Sequence, residues 1–311
     1  MKKIIIAILT LFIMQGNLSA KEDNTKTIRL LYPQWQGGKI ASLVPELNEK
    51  EASQGYYLGA ELLNFLAPKT KQKTITIPVS LDYKRIERNG VLDRDIIVNQ
   101  DKKALKLIKK ENPDRIVTLG GDCSVSVIPF LYLSNKYKNS TVVVWIDAHP
   151  DITLPKDKTY SGYHAMALSS LMGLGDKKIV KALPDKIDAK NILIVGLRDW
   201  EKEEIKTRQK ELGLKHLSVD EVKTNSNSII SWIQQTGAKN VLIHFDLDVL
   251  DPADMNIAVG KVNNGLKVDE TTRIINDIAN EFNVVGLTIA EPMPKTAIRI
   301  KNMLDRLPLL K

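Results

Sequence analysis

The sequence predicts an α/β protein: a single domain of three layers (α/β/α), with a mostly parallel eight-stranded sheet between two sets of helices. Three observations predict it. Short apolar, β-rich runs alternate with longer amphipathic stretches from end to end. Runs such as Thr141-Val142-Val143-Val144-Trp145-Ile146 are apolar without alternation, as a strand buried on both faces must be. No stretch rich in Pro, Gly or Ser divides the chain, and 311 residues suffice for one large α/β domain.

Taken in order, residues 1–20 stand apart from this alternation. Lys2 and Lys3 precede the apolar run Ile4–Met14, and Leu18-Ser19-Ala20 offers a small-residue cleavage site before a polar stretch. The run is shorter than the roughly 20 residues of a membrane span. Residues 1–20 are therefore expected to be a signal peptide and 21–311 the folded domain. The mature protein is expected to be exported, periplasmic or secreted, with no membrane association after cleavage. The first strand is expected at 28–33, followed by a helix at 51–67. A strand at 74–80 leads to a helix at 98–111, and one at 115–120 runs through Gly120-Gly121-Asp122-Cys123-Ser124 into a helix at 124–137. The strand at 141–147 passes into Asp147-Ala148-His149-Pro150-Asp151, then helices at 164–173 and 176–183. A strand at 191–197 leads to a helix at 201–212, which Gly213 stops. The strand at 214–219 precedes a helix at 226–237. The strand at 240–248 ends His244-Phe245-Asp246-Leu247-Asp248, then Val249-Leu250-Asp251-Pro252, before a helix at 269–281. The last strand, 284–290, precedes a helix at 295–306.

Composition narrows the function classes. Hydrophobic residues make up 43% and charged residues 26%, ordinary for a folded soluble protein. The net charge of +8 includes Lys2 and Lys3 of the leader, and the basic residues are scattered without a dense stripe beside aromatics. Nucleic-acid binding thus has no second support. The single cysteine, Cys123, rules out an internal disulfide, so the fold must rest on its core.

In open parallel sheets, sites form beyond the carboxyl ends of the strands. If the chain stays extended, Asp147, His149 and Asp151 share one face, as do His244, Asp246 and Asp248. Burying these carboxylates together is strongly unfavourable through desolvation and mutual repulsion. Two divalent cations offset that charge, and a donor set of oxygens with some nitrogen suits Mn²⁺, less specifically Fe²⁺, Co²⁺, Ni²⁺ or Zn²⁺. The paired glycines at 120–121 allow a sharp turn or a close approach; a helix start capped by Asp122 or Ser124 is the simpler reading of that block.

Together these three blocks, in this order, resemble the signature blocks of the arginase/agmatinase (ureohydrolase) family, and the resemblance spans residues 28–306. It implies a three-layer fold around an eight-stranded parallel sheet, two metal ions, Mn²⁺ being the expected metal, and hydrolysis of a small guanidino substrate to urea and an amine. Asp147, His149, Asp151, Asp246 and Asp248 resemble five of six metal ligands, with Asp147 and Asp246 bridging. The sixth is a histidine in the family and Cys123 here, a softer, anionic donor that favours Zn²⁺ or Fe²⁺. His164, thirteen residues after Asp151, resembles the proton shuttle. Glu291 resembles the glutamate facing the guanidinium, and Asp151 the residue that takes and passes the proton. At position 244 the family usually has a small residue; His244 is read as touching a metal-bound carboxylate from behind, or as a satisfied core histidine. Some relatives resembling this family carry cysteine at this position and hydrolyse N-hydroxyarginine, releasing hydroxyurea, so the resemblance implies that Cys123 is compatible with an active enzyme. The segment that holds the amino-acid end of arginine in arginases carries Thr153, Ser161 and Tyr163 here and no asparagine, which points away from L-arginine itself. Family members often form trimers or hexamers. The competing expectations are a non-catalytic exported binding protein that kept the fold and, ranked last for want of tandem histidines, a metal-dependent deacetylase.

Overall fold

A computed structural model describes residues 25–138 and 140–310; the expected leader at 1–20 lies outside the described residues. Ten strands follow in chain order: β1 (Thr27–Tyr32), β2 (Lys73–Thr76), β3 (Glu87–Arg88), β4 (Val91–Leu92), β5 (Arg115–Gly120), β6 (Thr141–Ile146), β7 (Ile192–Val195), β8 (Lys215–Leu217), β9 (Asn240–Asp246) and β10 (Asn283–Ala290). Eight form one sheet in the order β2-β1-β5-β10-β9-β6-β7-β8, with every pairing parallel. These are the eight strands the sequence predicts. β3 and β4 form a separate antiparallel hairpin that was not expected. Its turn is Asn89-Gly90, both at positive φ, the two-residue geometry that suits the twist of a hairpin.

The unbroken apolar strands are explained by two cores. Along β6, Val143 and Trp145 enter a cluster with Phe130, Leu133 and Leu168, from the helices at 127–136 and 167–171. Val142, Val144 and Ile146 enter the opposite cluster with Ile229, Ile233, Ile274 and Ile278, from the helices at 227–236 and 268–281. Each strand residue thus buries its side chain on one face or the other, which removes the polar alternation of a half-exposed strand. The chain is a three-layer α/β/α structure around a parallel eight-stranded sheet.

Helix limits differ modestly from expectation. The helix expected at 51–67 is two, Glu49–Ser53 and Gly55–Leu66. Those expected at 124–137 and 164–173 each begin as a tight 3-10 turn, Cys123–Ser126 and His164–Met166.

Candidate metal centre and active-site cleft

Because the sheet is parallel, all its carboxyl ends lie on one edge. The four adjacent strands β5, β10, β9 and β6 there deliver Gly121–Ser124, Glu291, Asp246–Asp248 and Asp147–Asp151, respectively. Residues up to 168 positions apart in sequence thereby meet: Cys123 N donates to Glu291 Oε1 at 3.3 Å.

Local turn chemistry aims the side chains. β6 ends at Ile146, and Asp147 Oδ1 accepts from the backbone N–H of His149 at 2.6 Å. β9 ends at Asp246, whose Oδ1 accepts from Asp248 N at 2.7 Å and caps the turn Leu247–Val249. Asp151 sits at φ +48. The extended course through 147–151 and 246–248 is therefore not what brings these groups together. Short aspartates bond their own backbone two residues on, and the chain curls so that the donors converge. Asp122 does the same at the third block, accepting from Ser124 N at 3.0 Å and from Gly37 N at 2.9 Å. A Cβ on Gly121 would lie 1.7 Å from the Gln34 carbonyl oxygen, so only glycine allows that approach.

Three groups of potential metal donors result among the described residues, the donor atoms of each lying within 4.8 Å of one another: two that share Asp147, namely Asp147, His149 and Asp248 and then Cys123, Asp147, His244 and Asp246; and a third of Cys123, His164 and Glu291. His149 Nδ1 lies 2.9 Å from Asp248 Oδ2 and 3.6 Å from Asp147 Oδ1. The Cys123 thiol donates to Asp246 Oδ2 at 2.8 Å, and Trp145 Nε1 donates to Asp147 Oδ2 at 2.9 Å. Asp151 belongs to none of these groups but lines the same cleft, and its Oδ2 is buried with no hydrogen-bond partner among the described residues.

Asp147, Asp151, Asp246, Asp248 and Glu291 are all buried here. Burial, then the charge of Asp248, pushes Asp147 up to about 7. Burial, then the neighbouring aspartates, raises Asp246 and Asp151 well above the usual carboxylate range. Burial also acts upward on Asp248, but the charge and hydrogen bond of His149 outweigh it and hold Asp248 at about 2. His149 responds in kind: burial opposes its charge, yet Asp248 and Asp147 lift its pKa well above the ordinary value. Burial, followed by Asp151, Asp246 and Glu291, pushes the Cys123 thiol up, so without a cation beside it this sulfur is a poor nucleophile. Crowded acids, an orphaned carboxylate oxygen and an imidazole between two aspartates fit a pair of divalent cations, with Asp147 able to serve both.

Beside the two groups that share Asp147 stands a second constellation. His164 Nδ1 lies 2.8 Å from Glu291 Oε1, and Tyr160 OH 2.6 Å from His164 Nε2. Tyr56 OH donates to Glu291 Oε2. Burial works against charge on His164, but Tyr160 and Glu291 outweigh it and raise its pKa well above the ordinary value. All of these residues line one cleft of about 350 Å³, whose lining also includes Ile40, Leu43, Trp200, Val259 and Lys261.

Of the residues expected to touch substrate, Thr153 and Glu291 line the cleft. Ser161 is not among the lining residues; its Oγ accepts from Lys39 Nζ at 3.2 Å. Tyr163 turns into a separate apolar cluster with Val91, Ile97 and Met166. His244 is wholly buried, stacked on Trp145, and is itself a member of one donor group; burial takes its pKa down to about 3. Tyr56, Tyr160 and Trp200 were not anticipated. Tyr160 lies in the loop four residues before His164, and proximity in sequence is the one signal that could have flagged it; Tyr56 carries no comparable signal.

Comparison with known proteins agrees with this geometry. The chain is 25% identical over 260 residues to an arginase of Staphylococcus aureus, an alignment covering 77% of this chain and 85% of that protein. Its structure is similar to that of Entamoeba histolytica arginase in complex with L-ornithine, with a TM-score of 0.73 at 21% identity over 90% of this chain and 96% of that one. It is also similar to formimidoylglutamase from Bacillus subtilis, with a TM-score of 0.63 at 17% identity over 88% and 81%. These structural likenesses speak for the fold. The arginase family model matches residues 67–304, most of the chain, and the chain therefore belongs to the arginase family.

Proposed function

We propose that this protein is a metal-dependent hydrolase that cleaves a C–N bond of a guanidino compound and releases urea or a urea analogue. One observation carries the reading: two adjoining donor groups that share Asp147 open into the same cleft as the Glu291–His164 pair. Family membership and the similarity to the Staphylococcus aureus arginase support it.

When bound, two divalent cations supply a water of lowered pKa as the nucleophile. Asp147, His149, Asp246, Asp248 and Cys123 would hold them. A guanidinium resists attack because its charge is delocalised, so its orientation matters. Glu291, fixed by Tyr56, receives the cationic head through charge-assisted hydrogen bonds. Asp151, with a free buried oxygen, takes the proton of the attacking water. As the C–N bond breaks, His164 gives a proton to the departing amine nitrogen, and Tyr160 holds its ring in place.

Cys123 favours a second reading of the substrate, an N-hydroxyguanidino compound releasing hydroxyurea. The apolar part of the cleft lining, Ile40, Leu43 and Val259, fits a guanidino compound whose tail differs from that of arginine. The proposal takes residues 1–20 as a cleaved leader, with the activity outside the cytoplasm.

The test loads the metal-free protein with Mn²⁺, Co²⁺, Fe²⁺ or Zn²⁺ and assays guanidino and N-hydroxyguanidino compounds for urea or hydroxyurea. Turnover is expected with at least one pair, and Asp151→Asn is expected to lower kcat by about 100-fold or more. A protein that binds two metals yet turns over none of these compounds is a binder that kept the fold.

A further inference from the structure

We propose that His244 Nε2 is a direct ligand of the metal centre, completing a Cys123–His244–Asp147–Asp246 donor set on one side of the pair. The inference rests on the binuclear reading above and adds a residue to it. His244 lies on β9 two positions before Asp246, so both side chains leave the strand on one face. It is wholly buried. Its ring is clamped twice. Trp145 stacks on it at a centroid distance of 3.6 Å and an interplanar angle of 12°, and Nδ1 lies 2.8 Å from Ser126 Oγ. Ser126 closes the turn that begins at Cys123, so the segment presenting the sulfur also orients the imidazole.

That clamp engages Nδ1 and leaves Nε2 as the free ring nitrogen of a residue grouped with Cys123, Asp147 and Asp246, one donor atom of each lying within 4.8 Å of the others. Yet Nε2 has no hydrogen-bond partner among the described residues. In the tautomer whose Nδ1–H donates to Ser126 Oγ, Nε2 carries a buried lone pair. Its neighbours are two carboxylates and a thiol that already donates to Asp246. None of them makes a hydrogen bond with it, and a cation is the partner that suits them all. An imidazole ligand whose second nitrogen is held by an outer hydrogen bond is the usual arrangement at metal sites. The two departures from the family pattern, at 123 and 244, thus fall within one donor group. One sulfur, one nitrogen and two carboxylates suit tetrahedral Zn²⁺ or Co²⁺ better than Mn²⁺.

The experiment titrates Co²⁺ into the metal-free full-length protein, following the visible and thiolate charge-transfer bands, with metal content measured independently. His244→Asn is the informative variant, because its amide can keep the Ser126 contact while nothing replaces Nε2. Far-UV circular dichroism checks that it folds. Wild type is expected to take up two equivalents. His244→Asn is expected to keep one, and to lose affinity for the other by more than about 100-fold, beyond what removing an outer hydrogen bond does. The double variant Cys123→His/His244→Ser, which returns an imidazole to the turn, is expected to recover two. Two equivalents in His244→Asn with a smaller loss and an unchanged spectrum overturn the assignment. A wild-type protein that takes up no metal overturns the binuclear reading itself, a failure visible before any variant is compared.

Discussion

Tyr160 shows how one hydroxyl tunes a proton carrier. It lies 2.6 Å from His164 Nε2, while Glu291 holds Nδ1, so both ring nitrogens are engaged. Burial alone would drive His164 neutral, and these two contacts reverse that. Removing the Tyr160 hydroxyl withdraws one of them. If His164 works as the protonated acid, activity is lost as pH rises through its pKa. Tyr160→Phe should therefore move the basic limb of the kcat/KM profile to lower pH and cut the plateau by roughly 3- to 30-fold, short of the 100-fold or more for a whole acid catalyst. A pH–rate series on both proteins reads this directly. A basic limb that stays in place would show that Tyr160 shapes the cleft without touching the proton. Tyr56 differs: it donates to the other oxygen of Glu291 and so acts on substrate orientation.

At the scale of elements, the turns after the strands do the positioning, and Gly121 is the tightest of them. Its amide donates to the Tyr32 carbonyl at 3.0 Å, its carbonyl accepts from Glu291 N at 2.7 Å, and Asp122 N reaches the Gln34 carbonyl at 2.9 Å. A methyl group at Gly121 would meet backbone that cannot swing aside. Gly121→Ala should destabilise the metal-free protein by about 3 kcal/mol or more and weaken metal uptake, as the turn carrying Cys123 and the segment carrying Glu291 part. Thermal unfolding and metal titration measure the two effects; an unchanged melting temperature would mean the strands yield more easily than the geometry allows. Elements of this kind were only partly legible in the sequence. The strands could be read because burial on both faces leaves an apolar run, and the acids because they cluster where those runs stop. Whether Asp248 continues β9 or starts a turn depends on the cap formed by Asp246, and period-two alternation says nothing about caps. Tyr56 reaches Glu291 from a helix 235 residues away, a contact that belongs to packing rather than to local pattern.

For the molecule as a whole, the strand order places four acid-bearing ends side by side, and the cost of that crowding extends behind the cleft. A buried polar chain runs from the helix at 94–111 to the turn at 123–126: Gln100 Nε2 donates to Gln34 Oε1 at 2.7 Å, and Gln34 Nε2 donates to Ser124 Oγ at 2.8 Å. Asp101 joins it, accepting from Tyr32 OH at 2.9 Å. Burial pushes Asp101 up to about 7; the Tyr32 hydrogen bond opposes this, and the charge of Asp122 adds to it. The sign of the stability effect follows. In the unfolded chain Asp101 loses its proton near the ordinary value of about 3.9, whereas in the folded chain it keeps it to about 7. Between those values the folded state binds more protons, so this residue makes the protein less stable as pH rises. The favourable contribution is complete below about pH 4 and gone above about pH 7. Asp101→Asn keeps an acceptor for Tyr32 and removes the titration. The unfolding free energy of Asp101→Asn minus that of wild type should therefore grow by about 1–3 kcal/mol between pH 5 and pH 8. Urea unfolding of both proteins at the two pH values isolates the effect, because the acids of the cleft titrate alike in each. A difference that stays flat with pH would mean Asp101 is ionised in the folded protein throughout, held by water or a cation reaching it from the cleft side.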